Sequence, residues 1–131
     1  MTRSETIGIV VGYADLPAAL ARAAASIIGH TQGLEVVNDP DLPRERLEEL
    51  LDQATARHPG ARFVVFVDMY GSSCFHAATR LLREHPEIEL VCGVSLPLLV
   101  RFLQHRQRME YKDLVDVLRR TSQEQACAVP G

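Results

Sequence analysis

The run Phe63-Val64-Val65-Phe66-Val67 carries no polar residue and stops abruptly at Asp68. A strand with one face in water alternates polar and apolar side chains, so this run needs cover on both faces. That is the condition of a strand inside a parallel sheet flanked by helices. Ile7-Gly8-Ile9-Val10-Val11 has the same character and ends in the break Gly12-Tyr13-Ala14-Asp15. Leu34 to Val37 and Ile88 to Val94 read as two further strands. Between them lie helical stretches. Leu16 to Ile28 sets Leu16, Leu20, Ala24, Ile27 and Ile28 at helical spacing, with Asp15 as the expected N-cap, Pro17 in the first turn and Gly29 at the close. After turn residues from Asn38 to Pro43, a helix from about Arg44 to Arg57 is expected to bury Leu47, Leu50, Leu51 and Ala54. Helices from about Cys74 to Glu84, Leu98 to Gln104 and Tyr111 to Arg120 complete the set.

Strand and helix alternate four times, which predicts an α/β fold: an open, doubly wound sheet of four parallel strands. The weakly apolar tail Gln125-Ala126-Cys127-Ala128-Val129, stopped by Pro130, is expected to add a C-terminal edge strand. Ligands of such folds sit beyond the carboxyl ends of the strands, where strand order reverses. The loops of interest are therefore Gly12 to Asp15, Asp68 to Ser73 and Val94 to Pro97.

With 131 residues, 47% apolar and 24% charged, the chain is expected to form one domain, residues 1–131, with a real core rather than a disordered ensemble. The balance of 14 basic against 17 acidic residues, with Lys112 the one lysine and no tryptophan, offers no basic stripe for nucleic acid. Cys74, Cys92 and Cys127 form no CxxC pair, so neither a disulfide framework nor a zinc module is expected, and no metal or cofactor is implied. Met1 to Thr6 runs directly into a short apolar segment that is too brief for a signal peptide, and no apolar run approaches the roughly 18 residues of a membrane span. A cytoplasmic protein without membrane insertion is the expectation.

Three segments carry a resemblance: Ile9 to Gly29, Phe63 to Ala78 (Phe-Val-Val-Phe-Val-Asp-Met-Tyr-Gly-Ser-Ser-Cys-Phe-His-Ala-Ala) and Val91 to Leu99 (Val-Cys-Gly-Val-Ser-Leu-Pro-Leu-Leu). Together they resemble the mannose-family enzyme IIA domain of the bacterial phosphoenolpyruvate-dependent sugar phosphotransferase system. The resemblance implies a homodimer in which Gln125 to Val129 is exchanged between subunits. It also implies a phosphoryl group taken from the carrier protein HPr onto a histidine at the end of the first strand and passed to a IIB domain. Counting back from Gly29 puts that histidine's position at Tyr13, with Gly12 in place of the family's hydroxyl residue and Ala14 in place of its glycine. A phosphohistidine holds a transferable P–N bond, whereas a tyrosine phosphate is a stable ester. A phenol is also a weak nucleophile at neutral pH without an adjacent base.

Asp68 is the other expected member of the site. The family's matching aspartate orients the acceptor ring, and here the resemblance implies a hydrogen bond from the Tyr13 hydroxyl. Capping of the loop backbone is its structural alternative. Ser72 and Ser73, just before a helix, suit phosphate binding at the helix N-terminus, and equally suit N-capping; Ser73 matches a family serine near the phosphate. His76 replaces a family asparagine and is the one alternative acceptor, although a helical histidine is more often structural. His30, His58, His85 and His105 read as surface residues at helix ends. Cys74, near the same helix N-terminus, suits either a lowered thiol pKa or inert packing. Arg101, His105, Arg106 and Arg108 read as a solvated basic cluster.

The functional expectation is a degenerate IIA-like protein, not competent for phosphoryl transfer, serving as a regulatory or protein-binding module of a phosphotransferase-type pathway. HPr-like or IIB-like proteins are its expected partners. The alternatives are an active phosphocarrier using His76 and an anion or small-molecule sensor.

Overall fold

The structure is a computed structural model that describes residues 5–131. The reading of the N-terminal segment as no leader rests mostly on residues 1–4, outside the described residues. The element order is β1 (Thr6–Tyr13), α1 (Leu16–Ile28), β2 (Leu34–Asp39), α2 (Arg44–Ala56), β3 (Arg62–Val67), α3 (Ser73–Glu84), β4 (Glu89–Cys92), α4 (Leu96–His105) and α5 (Tyr111–Gln125). The strands form one sheet in the order β2-β1-β3-β4, with every pairing parallel. Strand order therefore reverses between β1 and β3. The expected four-stranded, doubly wound architecture is present.

The unbroken apolar strands are covered on both faces. Ile7, Ile9, Val11, Val65 and Val67 pack with Leu47, Leu51 and Ala54 of α2 and with Ala77, Ala78 and Leu81 of α3. On the opposite face Val10, Val64 and Phe66 meet Ala24 of α1, Leu98 and Phe102 of α4, and Leu114 and Leu118 of α5. Burying each of these large side chains stabilises the fold by about 1.5–3 kcal/mol. Among the described residues no helix is long and apolar enough to cross a membrane.

Several local expectations differ from what folds. Asp15 occupies the N-cap position of α1 but makes no side-chain cap bond. Instead the Asn38 side chain, reaching across from β2, accepts the Ala18 N–H at 3.2 Å. Of the apolar residues at helical spacing in α1, Ala24 is buried while Leu16 and Ile27 are 40% and 58% exposed. α4 starts at Leu96 because Ser95 caps it, its hydroxyl accepting from Leu98 N–H. α5 runs on to Gln125, so the expected edge strand does not form within the chain, and residues 126–131 are irregular. Leu118 and Thr121, buried on the sheet side, draw α5 past Arg120.

Arg106, expected in the solvated basic cluster, is 4% exposed. Its guanidinium donates to the Thr6 carbonyl at 2.9 Å and lies 3.6 Å from the Glu5 carboxylate, tying the end of α4 to the start of β1. Room for it comes from Gly33, whose φ is +95° and where an added Cβ would land on the guanidinium. Gly33→Ala is therefore expected to cost about 3 kcal/mol in urea unfolding, from steric overlap added to left-handed backbone strain. Gly60→Ala, at φ +81° with open space around it, is expected to cost only about 1 kcal/mol. Equal losses in the two variants would remove the guanidinium contact from the account.

Candidate functional site

At the carboxyl edge of the sheet, the ends of β1, β2 and β3 are held together by two aspartates. Asp68, directly after β3, accepts three hydrogen bonds. The Tyr13 backbone N–H reaches Oδ2 at 3.0 Å, while the Met69 N–H and the Ser72 hydroxyl reach Oδ1 at 2.8 and 2.7 Å. The carboxylate thus joins the end of β1 to the start of α3. Its partner in Tyr13 is the peptide amide and not the phenol, which differs from the bond the resemblance implied. The Tyr13 side chain is 62% exposed.

Asp39, the last residue of β2, is the second carboxylate, and only 2% of it is exposed. Its Oδ1 accepts from the N–H groups of Asp41 (3.0 Å) and Leu42 (2.7 Å), shaping the turn into α2. Its Oδ2 takes the Ser73 hydroxyl at 3.3 Å and the Cys74 thiol at 3.6 Å. Its carbonyl accepts the Ala14 N–H at 2.7 Å. That bond holds Ala14 at φ 55°, a left-handed conformation costing a non-glycine residue about 1–2 kcal/mol. Asp39 lies in a segment that reads as ordinary turn chemistry. Applying the carboxyl-end rule to the second strand as well as the third would have singled it out.

Ser72 is the N-cap of α3: its hydroxyl oxygen accepts from Phe75 N–H at 3.1 Å while donating to Asp68. It is therefore a structural cap that also faces the site. Ser73 is exposed and linked to Asp39. His76 is exposed one turn into α3, its ring set edge-on to Phe75 at a centroid distance of 5.4 Å. Neither aspartate takes a hydrogen bond from its ring. The other histidines lie at the opposite edge of the sheet, and His58 is not a free surface group, since its Nε2 sits 2.8 Å from Glu35.

Cys74 is buried, and burial followed by the charges of Asp68 and Asp39 pushes its thiol up to about 12. The lowered value conceivable for a helix N-terminus is overturned, because desolvation and two carboxylates outweigh the dipole. Cys92 is raised for the same reasons, burial first and Asp68 second. Residues 12–15, 39–43, 68–72 and 93–95, which form this edge, hold Asp15, Asp39, Asp41 and Asp68 and no lysine or arginine. Among the described residues no three His, Cys, Asp or Glu side chains are placed to hold a metal.

Four of the seven exposed large apolar side chains among the described residues lie here too, Tyr13, Leu16 (40%), Met69 (62%) and Tyr70 (80%), while Ile27, Val36 and Val129 lie elsewhere. Tyr70 rests on Phe75 at a ring distance of 4.6 Å. The edge thus combines a rigid, carboxylate-pinned floor with an aromatic and methionine rim, chemistry suited to contact with another macromolecule.

Comparison with known proteins agrees with this architecture. Residues 8–118 match the family described as PTS system fructose IIA component. The PTS system fructose-specific EIIA component of Bacillus subtilis is 32% identical over 126 residues, covering 92% of this chain and 85% of that protein. The mannose-specific EIIAB component of Escherichia coli K12 is 30% identical over 106 residues, which are 77% of this chain and 32% of that longer protein. Among solved structures, the phosphotransferase component EIIA of Streptococcus agalactiae superposes with a TM-score of 0.85 at 20% identity, covering 94% of this chain and 96% of that one. The mannose/sorbose-specific IIA subunit of Enterococcus faecalis gives 0.83 at 13% identity, covering 97% and 96%.

The thiol environment is directly testable. With its thiol pushed up to about 12, Cys74 is held in the protonated form at pH 8. In the folded protein an alkylating reagent is therefore expected to label the exposed Cys127 rapidly and to leave Cys74 unmodified until denaturant is added. Rapid labelling of Cys74 in the native state, read by peptide mass mapping, would contradict its buried, carboxylate-flanked setting.

Proposed function

We propose that this chain, which belongs to the mannose-type enzyme IIA family of the sugar phosphotransferase system, has kept the fold of a phosphocarrier and lost the relay. In this reading it serves as a regulatory, protein-binding module of that system and acts as a single cytoplasmic domain. The observation that carries the proposal is Tyr13. It ends β1 at the reversal of strand order, and there only its backbone N–H engages Asp68. With Met69 and Ser72 also bound to that carboxylate, Asp68 is committed to loop geometry and is not poised as a base for the phenol. A tyrosine phosphate, were it formed, would be an ester too stable to hand on.

The four aspartates of the edge favour this reading over an anion sensor, since they outnumber Arg44, which opens α2 beside them, and so oppose a bound phosphate. They also support a basic protein partner docking on the Tyr13, Met69 and Tyr70 rim, an HPr-like or IIB-like protein being the natural kind in this family. A working phosphocarrier would need another acceptor, and the exposed His76 is the candidate.

Incubation with phosphoenolpyruvate, enzyme I and HPr is expected to leave this protein without acid-labile phosphate, while unphosphorylated HPr shifts the backbone amide resonances of residues 13 and 69–71. Acid-labile phosphate on the native chain that disappears in His76→Ala would establish the phosphocarrier instead.

A homodimer belongs to the same proposal. β4 pairs only with β3, so its outer edge is free to take a strand, and residues 126–131 follow α5 without regular structure. Exchange of this tail onto β4 of a second copy would cover that edge. Light scattering is expected to give twice the 14.5 kDa chain mass, falling to the monomer when residues 126–131 are deleted. A monomer in the full chain, or a dimer untouched by the deletion, would dismiss tail exchange.

A further inference from the structure

The sheet has a second concave feature, at the edge opposite the aspartates. A cavity of about 240 Å³ opens between the turn that follows α2 and the turn that follows α3. Its floor is apolar, built from Ala61, Phe63 and Ile88, and its rim carries His58, His85 and Glu87. Phe63 and Ile88 are 9% and 6% exposed, so the floor is part of the core and is fixed before any ligand arrives. The size is below the roughly 300–1,000 Å³ of drug-sized pockets and suits a ligand of one ring.

The electrostatics select the sign of that ligand. α2 and α3 both end at this cavity, and a helix C-terminus carries about half a negative charge on its unpaired carbonyls. Glu87 adds a carboxylate that is 69% exposed and only loosely met by His85 at 3.7 Å. Arg57 is already bound to Glu35 at 2.6 Å, His58 takes the second oxygen of the same carboxylate at 2.8 Å, and Arg62 lies over the Tyr111 ring at 5.2 Å, while Arg83 stands in the last turn of α3. Lysine is absent from both turns. The His58 ring stands edge-on to Phe63 at 6.5 Å, so imidazole and phenyl surfaces flank the apolar floor.

We propose that this cavity is a binding site for a small organic cation: a primary amine or amidinium head group facing Glu87 and the two helix ends, on a flat apolar or aromatic body lying against Phe63 and Ile88. The head group gains the attraction of the Glu87 carboxylate and the two helix ends, and the body displaces water from the apolar floor. The site is independent of the Tyr13 edge. β3, with 6 residues, puts a strand length of about 20 Å between them.

Benzylamine is a suitable probe, with benzyl alcohol as its neutral counterpart and benzoate as the opposite charge. In titrations of the intact chain followed by amide chemical shifts, benzylamine is expected to move the resonances of residues 58, 60–61 and 85–88 saturably, with a Kd of the order of millimolar. Benzyl alcohol is expected to bind at least about threefold more weakly, and benzoate to give no saturable shift. Glu87→Gln, an exposed substitution that leaves the core intact, is expected to weaken benzylamine by about threefold, whereas Glu45→Gln at the other end of α2 leaves it unchanged. The proposal fails if benzylamine shifts nothing saturably in these turns, if benzoate binds as well, or if Glu87→Gln has no effect.

Discussion

The carboxylate of Asp68 is the contact on which the working edge of this molecule depends. A sheet buried on both faces has no place for polar groups along β1 and β3, so peptide N–H groups emerging at the strand ends must find partners at once. Asp68 supplies them for Tyr13 and Met69 and also fixes the Ser72 cap of α3. Charge-assisted bonds of this kind are each worth about 1.5–3 kcal/mol. Asp39 repeats the device one strand over, binding the turn into α2 through one oxygen and the first residues of α3 through the other. Two side chains thus hold the loops after three strands, and the position of Tyr13 follows from them.

That arrangement has a chemical consequence. A carboxylate that orients a reacting ring must keep an oxygen free to face it, and in this chain the oxygens of Asp68 already serve backbone and hydroxyl donors. The same bonds that make the edge rigid use three of the roughly four acceptor sites of this carboxylate. Rigidity with exposed Tyr13, Met69 and Tyr70 is what a docking surface needs, because a pre-organised face loses little conformational entropy on association. Fold and surface therefore argue for recognition, while the chemistry of Tyr13 argues against transfer, and both arguments start from the same carboxylate.

How far the sequence speaks depends on the range of the interaction. The apolar runs set the strands, and the Pro17 and Gly29 punctuation places α1 at Leu16–Ile28 as expected. The local bonds of Asp68 and Ser72, to Met69, to each other and to Phe75, were legible as loop and helix capping, whereas the Asp68 bond to the Tyr13 amide spans 55 residues and was not. What was hidden has a distant partner. Asn38 caps a helix 20 residues away, Asp39 meets Ser73 across 34, and Arg106 reaches Thr6 across 100. Residue type alone gives Arg106 to solvent; a carbonyl at the start of β1 and the bare Gly33 backbone give it to the core. Cys74 is a similar case. The helix terminus read from local spacing lowers a thiol pKa, but burial first, and then the two aspartates brought in by the sheet, raise it.

The placement of histidine carries the argument one step further. In a parallel sheet the connecting helices run against the strands, so their N-termini collect at the carboxyl edge and their C-termini at the other. His30, His58, His85 and His105 stand within two residues of the ends of α1, α2, α3 and α4, where an imidazolium gains about 0.3–1 kcal/mol from the dipole. Asp15, Asp39, Asp41 and Asp68 lie at the opposite edge. Charge follows the helix axes only in part, since Arg44 and Arg46 open α2 and Glu84 closes α3. A phosphoryl relay demands the opposite compromise, an imidazole held at the positive edge where its protonated form is disfavoured and its phosphorylated form is welcomed. The residues that form that edge, 12–15, 39–43, 68–72 and 93–95, contain no histidine, and Tyr13 stands where such an imidazole would be held.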